Sequence, residues 1–391
     1  MGTTCPVISR ISGVRSLDPA VWRQLAAHGS DFYAGLPWLA AQEDFSGEPQ
    51  RLLVAERNGA VSAVLPYAVP DREFNPFYEP SALWGEQAPA AAELVHLGVG
   101  RGYDNPVLLE PATRPDGERA ALVAALAAEV ARLVAETGRP AVAQYVRAPR
   151  LDTAAALLGG TAAVLPVALN AVIPLQGTGF DDYLRTFTGP RASRRRKIGY
   201  ERRRFEAAGY QVGTEELRDC RDELAPLLVQ LQHRHGQSAS APSTARLILS
   251  QAEHLDGTVF TCRRDGDLLG FCLVYRWHDA LHVRMAGFDY PRLAGAFEYF
   301  NLTTYLPIDH AYRYGLREVH LGMESYRAKV LRGAELVPMV TALGPGAVAD
   351  PTALRAAAWR RVAGWQDEVP DPAGAFDIPE LSKEATACPT G

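Results

Sequence analysis

Two stretches far apart in this chain carry the same pattern: Leu52–Tyr67, LLVAERNGAVSAVLPY, and Val259–Tyr275, VFTCRRDGDLLGFCLVY. In each, an apolar run passes through a charged residue and an arginine into a turn dipeptide, and a second apolar run comes after it. Asn58-Gly59 and Asp265-Gly266 are the dipeptides that two-residue hairpin loops prefer, because both central residues take positive φ. The pattern predicts two equivalent β-hairpins.

The segments downstream of the two hairpins also correspond. Leu122, Leu126, Val130 and Leu133 recur at helical spacing, then come Gly138-Arg139-Pro140 and a strand-like AVAQYV. In the second half a helical stretch from about Leu293 to Tyr314 ends at Gly315, and Arg317–Leu321 (REVHL) reads as the next strand. Two long copies point to a duplicated α/β unit, not a short-period solenoid. At 391 residues the chain also exceeds the size at which a single core stops growing. The expected division is residues 1–176, residues 177–345 and a C-terminal segment, 346–391. The first boundary falls at the glycine-containing break Gln176–Gly179. The last segment reads as one helix, Asp350–Trp365, with a loosely attached tail beyond it.

Composition excludes several classes. Hydrophobic residues make up 47% and charged residues 22%, the mixture of a globular protein. The sequence lacks a membrane-spanning apolar run, and MGTTCPVISR does not read as a secretory signal, so a cytoplasmic enzyme with no membrane partner is expected. The cysteines, at 5, 220, 262, 272 and 388, form no CxxC pair, which argues against a disulfide framework or a zinc site. Cys262 and Cys272 lie in apolar runs and read as small core residues. His233 and His235 are two apart and would not share a helical face, so no metal is expected there. His310 reads as a packed or solvated histidine, and GRGYDNP (Gly100–Pro106) as a possible acceptor-binding loop.

One segment departs from this ordinary background. Between Arg185 and Arg204 there are nine basic residues and one acid, Glu201, a local charge of +8 in a chain whose net charge is -5. An otherwise acidic protein that concentrates cations in one place is arranged to meet an anion, and phosphate is the usual candidate. Ile198 and Phe205 are seven apart and would anchor a helix while the arginines face solvent. The candidate phosphate-binding residues are Arg191, Arg194, Arg195, Arg196, Lys197, Arg202 and Arg203.

FDDYLRTFTGPRASRRRKIGYERRRFEAAGY (Phe180–Tyr210) resembles the segment that opens the second domain of FemAB-like proteins. NLTTYLPIDHAYRYGLREVHLGMESYRAKVLRGAELVP (Asn301–Pro338) resembles their later block of helix, strand, glycine, short lysine-bearing helix and final strand. The likeness covers most of residues 30 to 345. It implies an α/β fold of two tandem GNAT domains that transfers an acyl group to an amine, with either aminoacyl-tRNA or acyl-CoA as donor. CoA-dependent GNATs carry a Q/R-x-x-G-x-G/A loop that places backbone amides against a pyrophosphate. Here Arg292-Leu293-Ala294-Gly295-Ala296-Phe297 puts a phenylalanine where close approach needs Gly or Ala, which favours the tRNA donor.

The same resemblance places three candidate catalytic residues. Lys329, in YRAKVLRG, matches the lysine that stabilises charge in the Fem enzymes, and it is one of only three lysines in an arginine-rich chain. Tyr326 matches the tyrosine that protonates the leaving group, and Glu324 is the nearest carboxylate to accept the amine proton. Arg332, three residues after Lys329, would share its face and hold a phosphate or carboxylate. The resulting expectation is amide-bond formation from aminoacyl-tRNA, bound through its acceptor stem, onto a small-molecule amine of specialised metabolism such as antibiotic biosynthesis, or onto a cell-wall precursor. No further cofactor is implied. The alternatives are an acyl-CoA-dependent N-acyltransferase and a non-catalytic RNA-binding protein.

Overall fold

The computed structural model of the chain describes residues 6–26, 29–111 and 116–381. In chain order, β1 (Val7–Ser12), α1 (Pro19–Leu25) and α2 (Leu36–Ser46) precede a hairpin of β2 (Arg51–Arg57) and β3 (Ala60–Ala68). Next come α3 (Pro80–Trp84), β4 (Val95–Leu97), α4 (Asp116–Thr137), β5 (Ala141–Arg147), α5 (Leu151–Leu157) and β6 (Ala163–Pro174). Then α6 (Phe180–Arg185), α7 (Ser193–Glu206), β7 (Gln211–Glu216), α8 (Leu217–Arg234) and α9 (Ala241–His254) lead to the second hairpin, β8 (Gly257–Arg264) and β9 (Asp267–Trp277). After β10 (Ala280–Phe288), α10 (Glu298–Phe300) runs through a π-helical turn, Asn301–Tyr305, into α11 (Leu306–Arg313). The last elements are β11 (Glu318–Gly322), α12 (Tyr326–Val330), β12 (Glu335–Leu343) and α13 (Pro351–Ala363).

Both hairpins form as the turn dipeptides require, with φ of 52° and 75° at Asn58-Gly59 and of 53° and 87° at Asp265-Gly266. Four of the apolar positions that predicted a helix, Leu122, Leu126, Val130 and Leu133, are the buried stripe of α4. The second long helix differs at its start. It begins at Glu298, not near Leu293, because Gly295 and Phe297 both take left-handed backbone.

The residues form two compact units. One holds the described residues up to Glu43, Glu48–Asn170 and those from Val337 onward; the other holds Asp44–Gly47 and Ala171–Leu336. In the first, β1 to β4 pair antiparallel in sequence, β4 pairs parallel with β5, and β12 pairs antiparallel with β5. In the second, β7 to β10 pair antiparallel in sequence, β10 pairs parallel with β11, and the end of β6 pairs antiparallel with β11. The two units thus repeat one topology, and each takes its last strand from the sequence of the other half. The chain therefore changes units inside β6 and inside β12, not at Gln176–Gly179 or after residue 345. β6 is buried without interruption almost to its end, Asn170 at the crossing included, so no exposed break or loop marks it.

The second unit's core gathers Phe260, Leu269, Leu281, Phe288, Leu302 and Tyr305, and Ile198 and Phe205 of α7 pack into it. Each such side chain contributes roughly 1.5–3 kcal/mol through burial. Cys262 and Cys272 are fully buried there, while Cys5 and Cys388 lie outside the described residues. The C-terminal segment is less loose than its composition suggests. Asp350 caps α13 by accepting from the amides of Thr352 and Ala353, and Phe376, Ile378 and Leu381 are buried in the described part of the tail.

The Gly100–Pro106 loop is spent on the first unit's own backbone. Asn105, 1% exposed, accepts from the amides of Val99 (3.2 Å) and Val107 (2.8 Å) and donates to the carbonyls of Leu97 and Gln144, both at 3.0 Å. Asp104 is equally buried and pairs with Arg147. Asn105→Ala strands four buried backbone groups, and a loss of about 3 kcal/mol is expected, at the upper end of a single unmade buried bond. Urea unfolding should show a lower midpoint at unchanged slope.

Candidate functional site

The basic segment folds as its spacing requires. Ile198 and Phe205 of α7 are buried at 1% and 4% exposure, and the cations divide into two groups around that anchor. One group is engaged with the protein. Arg195 donates to the carbonyls of Phe187 (2.8 Å) and Arg185 (3.1 Å), Arg202 pairs with Asp309 at 2.9 Å, and Arg185 pairs with Asp182. Arg195 and Arg202 are thus tied down by the protein's own groups and are not the open phosphate ligands that the sequence suggested. Arg191 lies over the Phe187 ring, and Lys197 reaches Glu201 only at 3.9 Å. The other group, Arg194, Arg196, Arg203 and Arg204, meets no carboxylate among the described residues, and all but Arg194 are exposed.

Glu201, the one acid of the segment, is 2% exposed. Its carboxylate takes Arg332 Nη2 at 2.8 Å and the hydroxyl of Tyr305, which in turn accepts from Arg332 Nε at 2.9 Å. Arg332 also donates to the carbonyl of Ala328, and its own carbonyl accepts from Tyr183 at 2.9 Å. Burial and Glu201 together push the Tyr305 phenol well above its ordinary range, so it stays a neutral donor. Arg332 is therefore an internal tie and not a ligand for phosphate. It connects the turn after α12 to α7.

The turn between β11 and α12 holds Glu324, and α12 itself carries Tyr326 and Lys329. Glu324 and Ser325 take φ of 63° and 51°, two consecutive non-glycine residues in the left-handed region. Such backbone costs of order 1–3 kcal/mol per residue and persists where surrounding contacts impose it. Lys329 supplies part of that constraint, since its ammonium donates to the carbonyls of Gly322 (3.1 Å) and Met323 (2.7 Å). Tyr326 is buried, and Glu324 is exposed at the turn's outer edge.

The loop Arg292–Phe297 is closed by the protein itself. The amide of Ala296 donates to Glu298 at 2.9 Å, and the amide of Ala294 donates to the Tyr210 hydroxyl at 2.7 Å. That hydroxyl donates to Glu298 at 2.7 Å, and burial, opposed by the Ala294 amide and reinforced by Glu298, pushes its pKa up to about 12. Arg292 is held by Asp267 at 2.6 Å and by Asp289 at 3.6 Å. The Glu298 carboxylate and the Tyr210 hydroxyl bonded to it thus occupy the amides of Ala296 and Ala294, which could otherwise receive an anion.

Two histidines were not singled out from sequence. β10 pairs with β11 only over Ala280–His282 and Glu318–His320, and His282 and His320 stack at the end of that pairing, 4.4 Å apart and 30° between planes. His320 Nε2 lies 3.0 Å from Glu318. The equivalent register of ALHV and REVHL was the available signal, but only strand pairing makes it visible. His310 is packed against Phe260 and Tyr314, and burial lowers its pKa to about 4, with Arg313 and Arg276 adding to the effect. His233 bonds to the Ala239 carbonyl, and no group of three or more His, Cys, Asp or Glu among the described residues could hold a metal.

Residues 192–330 match the family model of an acetyltransferase (GNAT) domain. No curated protein sequence matches the chain. Among solved structures, FemX superposes with a TM-score of 0.54 at 12% identity, covering 85% of this chain and 96% of FemX. A protein of unknown function from Bacteroides thetaiotaomicron gives 0.52 at 13% identity, covering 84% and 97%. The C-terminal domain of a protein described as a lysylphosphatidylglycerol synthetase, from Agrobacterium fabrum, gives 0.50 at 13%, covering 89% and 97%. The chain has a GNAT fold, built from two GNAT-like units, and its arrangement is FemX-like.

Two outcomes are expected. Glu201→Gln or Arg332→Met alone leaves the other charge uncompensated in the core and should cost about 3–5 kcal/mol, whereas the paired Glu201→Leu, Arg332→Met variant should recover most of it; chemical denaturation of the three variants measures this. His310 is neutral when folded and protonates near pH 6.5 when unfolded, so its stabilising effect is present above about 6.5 and lost as pH falls toward 4. His310→Gln should flatten the stability profile over that interval.

Proposed function

We propose that this protein transfers an aminoacyl group from aminoacyl-tRNA to an amine acceptor, forming an amide bond in the cytoplasm. The observation that carries the reading is the contrast between two possible anion sites in the second unit. The amides of Ala294 and Ala296 are taken by Tyr210 and Glu298, which opposes a CoA pyrophosphate, while Arg194, Arg196, Arg203 and Arg204 of α7 stand without carboxylate partners. Four unpaired guanidiniums on one helix suit the closely spaced phosphates of an RNA strand.

The chemistry asked of the site is attack of a neutral amine on the ester carbonyl, with charge developing on the carbonyl oxygen and a proton reaching the leaving hydroxyl. In this reading Lys329 holds the strained turn and brings a fixed positive charge to the oxyanion. Tyr326 supplies the proton to the leaving oxygen, and Glu324 at the exposed edge takes the proton released by the amine. Arg332 positions the turn through Glu201. No described helix is long and apolar enough to cross a membrane, and the reading takes a soluble small-molecule amine, such as a precursor in antibiotic biosynthesis, as the acceptor.

Incubation with a mixture of charged tRNAs and candidate amines, with and without ribonuclease, tests the donor. Product that appears with acyl-CoA and survives ribonuclease overturns the reading. Arg194→Ala, Arg196→Ala and Arg203→Ala together should raise the donor KM steeply, by roughly tenfold per lost charge-assisted bond, and leave kcat little changed, because such contacts bind ground and transition states alike.

A further inference from the structure

Tyr200 sits on the outer face of α7 with 45% of its surface exposed. A single exposed aromatic is ordinary, but the surroundings of this one are not. The residues that share its helical face, three and four positions before and after it, are Arg196, Lys197, Arg203 and Arg204. Every neighbour on that face is a cation, and the three arginines meet no carboxylate among the described residues.

A second aromatic meets it there. The Phe297 ring packs edge to face with Tyr200 at 5.8 Å and 72°, forming a corner, and the Lys197 ammonium lies over both rings, 5.4 Å from Tyr200 and 4.9 Å from Phe297. Phe297 holds a φ of 63°, a conformation that strains a bulky residue. Gly295, two residues earlier, takes the same region without cost. A strained, half-buried phenylalanine turned toward an exposed tyrosine points to use of the pair, since core packing does not require it.

We infer that Tyr200 and Phe297 form a stacking corner for one unpaired base of an RNA donor, with Arg196, Arg203 and Arg204 taking the flanking phosphates. This rests on the aminoacyl-tRNA reading and assigns it a place on the surface. Every base presents a π face, so such a corner accepts bases without reading sequence. Duplex RNA keeps its bases stacked on each other and offers only phosphate, while a splayed single-stranded end offers both features. An acidic peptide would satisfy the arginines and leave the rings unused. In the free protein Lys197 covers the ring faces as a cation–π partner. When a base takes that place, the ammonium is released toward phosphate.

The test compares binding of two RNA hairpins with equal numbers of phosphates, one blunt and one with a single-stranded 3′ extension, by fluorescence anisotropy at fixed salt. The protein should prefer the extended hairpin by about tenfold, the scale of one base–aromatic stack. Tyr200→Ala should abolish that preference and leave blunt-hairpin binding in place, while Tyr200→Phe keeps it. Arg196→Ala should weaken both RNAs alike and reduce the salt slope by about one. If Tyr200→Ala retains the preference, or if Tyr200→Phe loses it, the stacking corner is wrong and the tRNA donor stands. If the unaltered protein binds neither hairpin, both proposals fail.

Discussion

The second unit depends on one buried carboxylate. Without Glu201, the repulsion among the seven basic residues of α7 would be opposed by burial of Ile198 and Phe205, the Arg195 bonds to backbone carbonyls and the Arg202–Asp309 pair, with no carboxylate at the core side of the helix. Glu201 points inward, where Arg332 and Tyr305 meet it, so the attraction acts in a medium that screens little. The same contact fixes the turn after α12. The helix that carries the unpaired arginines and the end of the short helix that carries Lys329 are therefore placed by a single polar cluster. A buried pair of this kind adds little net stability, and what it provides here is position.

A similar economy governs the loop before α10. A carboxylate from the helix's own first residue, Glu298, is turned back onto the Ala296 amide and, through Tyr210, onto Ala294. The loop keeps the conformation of an anion cradle and contains its own anion. Opening it to a diphosphate would require displacing a buried charge, which is costly unless the incoming group replaces every bond. Phe297 in left-handed backbone belongs to the same arrangement, since the loop's path turns its side chain outward toward Tyr200.

The periodic features were legible in sequence. Asn58-Gly59 and Asp265-Gly266 require positive φ, the stripe from Leu122 to Leu133 requires a helix, and Ile198 and Phe205 mark the buried side of α7. What escaped depends on pairing between distant residues. Nothing local distinguishes Arg332, engaged by Glu201 more than a hundred residues earlier in the chain, from an exposed arginine, and the same holds for Arg202 and Asp309. His282 and His320 become neighbours only through the register of β10 and β11. The crossing points between units were hidden because β6 continues as one buried strand through Asn170, the residue at which it changes units.

That change of partners bears on synthesis at the ribosome. The first unit needs β12 beside β5, yet Val337 and the residues after it emerge only when all of Ala171–Leu336 has already been made. The nascent chain must hold an incomplete sheet with β5 exposed along one edge while the later unit, whose strands are nearly contiguous in sequence, gathers first. Expression of residues 1–176 alone would leave that edge permanently open. The hazard for this protein during its production is therefore association through β5, which lasts until the final strand arrives to cover it.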